Sequence, residues 1–386
     1  MGQFIGRGRK ARRCYGFDEI SLVPGNVTIN PNEVDISWTL RDKRYEIPIL
    51  AAAMDGVVNT KFAIAMGKLG GLAVLNLEGI QTRYEDPEEI LERIARSTPE
   101  EVTQLLQEIY QEPIKEQLIG QRVETIKKAG VPAIVSAIPQ RAERFCQIAE
   151  EAGVDIFIVQ STVTTVQHIS SEYKTLDFTK FFRSTKVPVI VGNTVGYKTA
   201  IEFMQTGADA LLVGIGPGAA CTTRGVLGIG VPQVTATCDC ASARDVYYKQ
   251  TGRYVPIITD GGMSTGGDIC KACACGADAV MVGSSFARAE EAPGRGYHWG
   301  MATPHANLPR GTRIYVGTNA TLEQILYGPA ELDDGSQNLI GALRTSMGNL
   351  GVQTIREMQM TEIIIAPAIK TEGKIFQKAQ RVGMGK

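Results

Sequence analysis

The feature that most constrains this chain is a rhythm. Eight short apolar runs, at 47–52, 72–75, 133–135, 156–159, 187–191, 210–213, 255–258 and 279–282, alternate with segments of helical period. The runs are rich in Val, Ile and Leu and lack the polar alternation of a strand with one wet face, so each reads as a strand buried on both faces. Amphipathic segments such as 60–69, 140–152 and 266–275 lie between them. Several end in Ala-Gly-Val, Thr-Gly-Ala or Cys-Gly-Ala, with glycine at the helix stop. Eight evenly spaced strand–helix units predict a closed (β/α)8 TIM barrel, with a doubly wound open sheet as the alternative.

The rest of the chain arranges itself around that barrel as one domain over 1–386. Residues 1–46 read as an N-terminal arm and extension, 47–292 as the barrel core, 293–336 as a flap, and 337–386 as closing helices and tail. The charged stretch 85–129 predicts two or three surface helices. Residues 294–335 are rich in Gly, Pro and Thr without a clear period, and a long irregular segment after the eighth strand reads as a lid. Arg7, Arg9, Lys10, Arg12 and Arg13 read as a solvated arm.

Composition excludes several classes. A net charge of -1 argues against bulk nucleic-acid binding. No apolar run reaches the length of a membrane span. Eight cysteines in 386 residues are too sparse for a disulfide scaffold, so reduced thiols and a cytoplasmic protein are expected. Three histidines rule out a His-rich metal site. Glycine is in excess, with 42 residues, which places many of them in turns and at close backbone approaches to a ligand.

In a barrel, chemistry sits at the C-terminal strand ends. Those ends carry Asp55, Asn76, Ser136, Gln160 with Ser161, Gly192 with Asn193, Gly214 with Gly216, Asp260 with Gly261 and Gly262, and Gly283 with Ser284. The last two loops offer bare backbone N–H groups near helix starts, as a phosphate requires. The loop after the sixth strand presents Cys221 between glycines, with Thr222 and Thr223 beside it. That suits a thiolate nucleophile with a hydroxyl as proton relay, against the plain alternative of a small buried cysteine. Cys238, Cys240, Cys270, Cys273 and Cys275 fall on helices where a barrel wants small residues, so they read as packing and not as a metal knuckle.

The run from Gly214 through Cys221 to Gln233 closely resembles the active-site signature of the IMP dehydrogenase/GMP reductase family. Ala53-Met54-Asp55, Gly192-Asn193, Ile258-Thr259-Asp260-Gly261-Gly262, Met281-Val282-Gly283-Ser284 and Gly300-Met301 resemble further motifs of that family in the same order. The resemblance implies purine 5′-nucleotides such as GMP and IMP, a nicotinamide cofactor, and a homotetramer or octamer. It implies that Cys221 attacks purine carbon 2 with Thr223 as catalytic threonine. Ala53, Met54, Asp260, Gly262, Gly283, Ser284, Gly300 and Met301 would bind substrate. Gln160, Ser161, Asn193, Gly214 and Gly216 would meet the cofactor, although the family's usual residue at Gln160 is Asp. The carbonyls of Gly216, Gly218 and Cys221 would hold a monovalent cation such as K+.

The direction of reaction is read from departures. The stretch 85–129 is too short for the regulatory module that dehydrogenases usually carry, and no Arg-Tyr pair follows the eighth strand; Arg313-Ile-Tyr315 and Arg310-Gly-Thr312 are the nearest approximations. These favour an NADPH-dependent GMP reductase. An NAD-dependent IMP dehydrogenase making XMP is the alternative, and a nucleotide-binding regulator without turnover is the third reading. The reductase's flap glutamate falls at Arg310, which leaves Glu290, Glu291 and His305 as candidate acids.

Overall fold

The computed structural model describes residues 2–300, 312–369 and 371–385. Eight parallel strands close on themselves in chain order. They are β1 (Ile49–Ala51), β2 (Leu72–Asn76), β3 (Ile134–Ala137), β4 (Ile156–Gln160), β5 (Val189–Thr194), β6 (Ala210–Val213), β7 (Ile257–Asp260) and β8 (Ala279–Val282). The seam is the β8–β1 pairing, where Val280, Met281 and Val282 lie opposite Ile49, Leu50 and Ala51.

The uninterrupted apolar runs now have a cause. Successive side chains of a strand point to opposite faces, and here both faces are buried. Leu50, Leu72, Val74, Ile134, Ile156, Ile158, Ile190, Leu212, Ile258 and Met281 fill the barrel interior. Their neighbours Ile49, Ala51, Ala73, Leu75, Val135, Phe157, Val191, Leu211, Ile257 and Val280 pack outward against the helices. A hairpin of Trp38–Leu40 and Lys43–Tyr45 closes the N-terminal end. Its Trp38, Leu40 and Tyr45 join the interior cluster, and Arg41 pairs with Asp209 at 2.7 Å, just before β6.

Helix boundaries follow local chemistry. Asn59 accepts the Phe62 N–H at 2.8 Å and starts α1 (Thr60–Lys68). Gly130 and Gly153 take φ of +75° and +85° after the helices that precede β3 and β4, a left-handed stop that a side chain resists.

The stretch 85–129 forms three helices, α2 (Pro87–Arg96), α3 (Val102–Ile109) and α4 (Glu116–Lys128). The first two build a small core of their own with Trp299. After β8 the segment read as irregular contains a short strand pair, Tyr297–His298 with Ile314–Tyr315. It also contains a helix, Leu322–Tyr327, whose Thr321 and Gln324 form a capping box that the search for a period did not register. At the N-terminus, Gln3–Gly6 and Arg9–Ala11 form an exposed hairpin. Arg12 stays more than half exposed while pairing with Asp239 at 2.6 Å. Among the described residues no helix is long and apolar enough to cross a membrane.

Candidate active site

The C-terminal mouth gathers side chains from β1 and from β4 to β8. On the loop after β6, Cys221 is exposed and its Sγ lies 3.3 Å from Thr223 Oγ1. Thr223 is buried and opens the short helix Thr223–Leu227. Arg224 donates through Nε to the Ile215 carbonyl at 3.3 Å and through Nη2 to the Val231 carbonyl at 2.7 Å, tying the two ends of the loop together. A Cβ on Gly216 would stand 2.7 Å from Arg224 Cγ, and one on Gly230 likewise, so part of the glycine excess seats this arginine. Gly214 is needed for a close approach, since its Cβ would lie 2.4 Å from the Asp260 carbonyl oxygen. Gln233 locks that contact by donating to the carbonyls of Val213 and Asp260, both at 2.8 Å.

The two glycine-rich loops flank the cysteine loop. A Cβ on Gly262 would reach Pro217 Cβ at 3.0 Å, and one on Gly283 would reach Met54 Sδ at 2.8 Å. The loop after β7 therefore lies against the cysteine loop, and the loop after β8 against the residue that follows β1. Ala53 is buried with the barrel interior. Ser284 Oγ lies 3.1 Å from His298 Nε2. Burial pulls the His298 pKa down to about 4, so the ring is neutral at physiological pH.

Beside these loops stands a polar triad. Asn193 Nδ2 donates to Asp260 Oδ2 at 2.7 Å. Gln160 Nε2 reaches both Asn193 Oδ1 at 3.1 Å and Asp260 Oδ2 at 3.2 Å. Burial pushes the Asp260 pKa up to about 6, and the Asn193 bond works against it. Ser161 exchanges backbone hydrogen bonds with the neighbouring strand, its N–H donating to the Gly192 carbonyl at 3.0 Å and its carbonyl accepting from Asn193 at 3.1 Å.

A family model for the IMP dehydrogenase/GMP reductase domain matches residues 14–374. The chain is 38% identical over 370 residues to an uncharacterized oxidoreductase of Mycolicibacterium smegmatis, covering 94% of this chain and 99% of that one. It is 30% identical to the inosine-5'-monophosphate dehydrogenase of Borreliella burgdorferi, covering 90% of this chain and 93% of that one. Among solved structures, an IMP dehydrogenase/GMP reductase-like protein from Corynebacterium glutamicum superposes with a TM-score of 0.89 at 35% identity, covering 94% of this chain and 96% of that chain. The chain belongs to the IMP dehydrogenase/GMP reductase family. It is an oxidoreductase on a (β/α)8 barrel.

Within this family member, sequence reasoning missed a second layer. Tyr110 donates to Asp55 Oδ2 at 2.5 Å and accepts from Trp299 Nε1 at 2.8 Å. Asp55 also accepts the Ile80 N–H at 3.0 Å, and burial pushes its pKa up to about 6. Trp299 directly precedes Gly300, so the start of the flap is moored to α2 and α3. Arg295 adds a fork to Glu92 at 3.1 and 2.7 Å. Arg313, just before the returning strand, donates to the carbonyls of Ile94 and Ser97. Trp299 was the available signal, but Tyr110 and Trp299 are 189 residues apart in sequence.

Other expected positions resolve differently. Met301, His305 and Arg310 lie outside the described residues. Glu291 caps the helix Leu322–Tyr327 by accepting the Leu322 N–H at 2.8 Å, so that carboxylate is engaged away from the cysteine. Cys240, Cys270, Cys273 and Cys275 are buried, and burial pushes the Cys270 thiol up to about 11. A cavity of about 620 Å³ between the helix Leu339–Leu350 and residues 330–338 contains none of the mouth residues.

Proposed function

We propose that this chain is a purine 5′-nucleotide oxidoreductase that works at purine carbon 2 through a covalent Cys221 adduct. The observation that carries this reading is the Cys221–Thr223 pair at the mouth, flanked by two bare-backbone loops and Asp260. The phosphate would lie on Gly262, Gly283 and Ser284, where the two glycines leave N–H groups approachable and Ser284 adds a hydroxyl. Asp260 would take ribose hydroxyls. Ala53, Met54, Gly300 and Met301 would line the base. Cys221 adds to carbon 2, and Thr223, within reach of the sulfur, moves a proton in the step that releases it.

A nicotinamide fits the edge formed by Gln160, Ser161 and Asn193 beside the Gly214 and Gly216 loop. Gln160 Oε1 is buried without a protein partner, which leaves an acceptor for a ligand hydroxyl. When bound there, the nicotinamide supplies the hydride acceptor or donor. A K+ would lie on the carbonyls of Gly216, Gly218 and Cys221, the Gly218 oxygen keeping a second lone pair beside the Cys221 N–H that it accepts at 3.0 Å.

For direction, we favour oxidation of IMP to XMP with NAD. Carbon 2 loses hydride, water then attacks it, and the thiolate leaves. The short 85–129 stretch argued for the reductase, but it does not discriminate. The 393 aligned positions that cover 93% of the Borreliella dehydrogenase cap its length at about 420 residues, too short for this chain plus a regulatory module. In addition, the Thr312 N–H donates to the Ala220 carbonyl at 3.2 Å, which brings the chain at Thr312 against the residue that precedes the nucleophile. Glu291, a candidate acid for ammonia release, is committed elsewhere. GMP reduction with NADPH is the second reading, supported by the missing Arg-Tyr pair. Purified protein with IMP and NAD should raise the reduced-nicotinamide absorbance band. No rise there, with loss of the band from GMP and NADPH, would reverse the direction; silence in both would leave nucleotide binding without turnover.

A further inference from the structure

We infer that Gln160 is a positioning residue for the nucleotide side of the mouth, holding the Asp260 carboxylate in one orientation through a closed triad with Asn193. The inference rests on the purine-nucleotide reading above and assigns Gln160 a task beyond contact with the cofactor.

The geometry of the triad is closed. Gln160 ends β4, Asn193 sits near the end of β5, and Asp260 ends β7. Gln160 and Asn193 are both 6% exposed. Asp260 Oδ2 accepts from Asn193 at 2.7 Å and from Gln160 at 3.2 Å, and Gln160 also donates to Asn193 Oδ1 at 3.1 Å. That last bond fixes which way the Asn193 amide faces, because Oδ1 must accept from Gln160 while Nδ2 donates to Asp260. Both bonds to Asp260 fall on Oδ2 and leave Oδ1 for a ligand hydroxyl. The Gln160 amide nitrogen is therefore spent on the nucleotide side, while its unpartnered Oε1 remains for the cofactor side.

A carboxylate at position 160 could not do this. An ionised Asp or Glu has no N–H to donate. It would place a second negative charge beside Asp260 and compete for the same Asn193 donor. The other groups against Asp260 cannot substitute. Gln233 reaches only its backbone carbonyl. Pro217 and Gly218 approach the adjoining glycines from the cysteine loop, and Met281 lies opposite on β8. None of these carries a charge that would stabilise a carboxylate pair.

The test measures nucleotide binding in the absence of cofactor. In Gln160→Leu, the Kd for IMP without cofactor, read by calorimetry, should rise at least about tenfold, a loss that the missing Oε1 contact with the cofactor cannot cause because no cofactor is present. In the near-isosteric Gln160→Glu, IMP binding should be weak at pH 8 and recover toward the unsubstituted value near pH 5.5, where one proton shared by the two carboxyl groups restores the donor. Far-ultraviolet circular dichroism checks that each variant is folded. If IMP binding is unchanged in Gln160→Leu, or Gln160→Glu shows no acid recovery, the positioning role is wrong. An unsubstituted protein that binds no purine nucleotide overturns the proposed function instead, and this inference falls with it.

Discussion

Tyr110 and Asp55 meet at 2.5 Å although one belongs to the helical stretch after β2 and the other to the end of β1. The hydroxyl gives a buried carboxylate one of its two protein donors and at the same time accepts from Trp299. Replacing Tyr110 by Phe strips a donor from a buried acid and an acceptor from a buried indole. Unsatisfied buried groups cost about 1–3 kcal/mol each. Urea unfolding of Tyr110→Phe should therefore show a loss of about 2 kcal/mol or more, together with reduced kcat, since Trp299 adjoins Gly300. A variant as stable and as active as the parent would remove this network from the account.

Cys221→Ala should lower turnover by at least about a thousandfold while leaving IMP binding nearly intact, because the proposed mechanism makes its thiolate the covalent nucleophile. Thr223→Ala should cost about a hundredfold in kcat, in the range of a lost proton relay. Rapid-quench measurements on Thr223→Ala should find the nucleotide adduct accumulating on Cys221. Fast turnover in Cys221→Ala would refute covalent catalysis.

Gly216→Ala places a Cβ 2.7 Å from Arg224 Cγ at a backbone φ of +74°. Both effects strain the cysteine loop, by about 1–3 kcal/mol for a side chain held at positive φ. The expected result is a kcat/KM lowered by tenfold or more with little change in melting temperature. Gly225→Ala, where nothing lies within 4 Å of the new Cβ, should be far milder. Equal effects from the two substitutions would contradict the seating of Arg224.

His298 makes stability depend on pH with a definite sign. Its folded pKa is pulled down to about 4 by burial, below the usual value of about 6.5 for an unfolded chain. Between those values the unfolded state binds more protons than the folded one. The contribution is thus fully present above pH 6.5 and is lost as pH falls toward 4, by about 3 kcal/mol at most. Asp55 and Asp260, both raised to about 6, contribute the opposite slope over part of that window. Thermal unfolding of the parent and of His298→Gln from pH 4.5 to 7 isolates the histidine. The parent should lose more stability on acidification, and parallel curves would show that His298 does not titrate as described.

What the sequence by itself determined is local and periodic. Runs such as 156–159 and 210–213 are apolar on both faces, so they could only be covered strands, and eight of them with glycine-stopped helices between left closure as the simplest outcome. The position of Cys221 beside Thr223 was equally legible, because their spacing is short and their chemistry is carried by residue type. Contacts between distant segments were decided by the tertiary structure. Nothing near Gln160 announces that it will share the Asp260 carboxylate with Asn193, or near Tyr110 that it will meet Asp55 and Trp299. Those pairings exist because barrel closure brings separate strand ends to one mouth, and because α2 and α3 fold back over it. Hydrogen bonding across such distances has no period along the chain, so it became visible only once the barrel was closed.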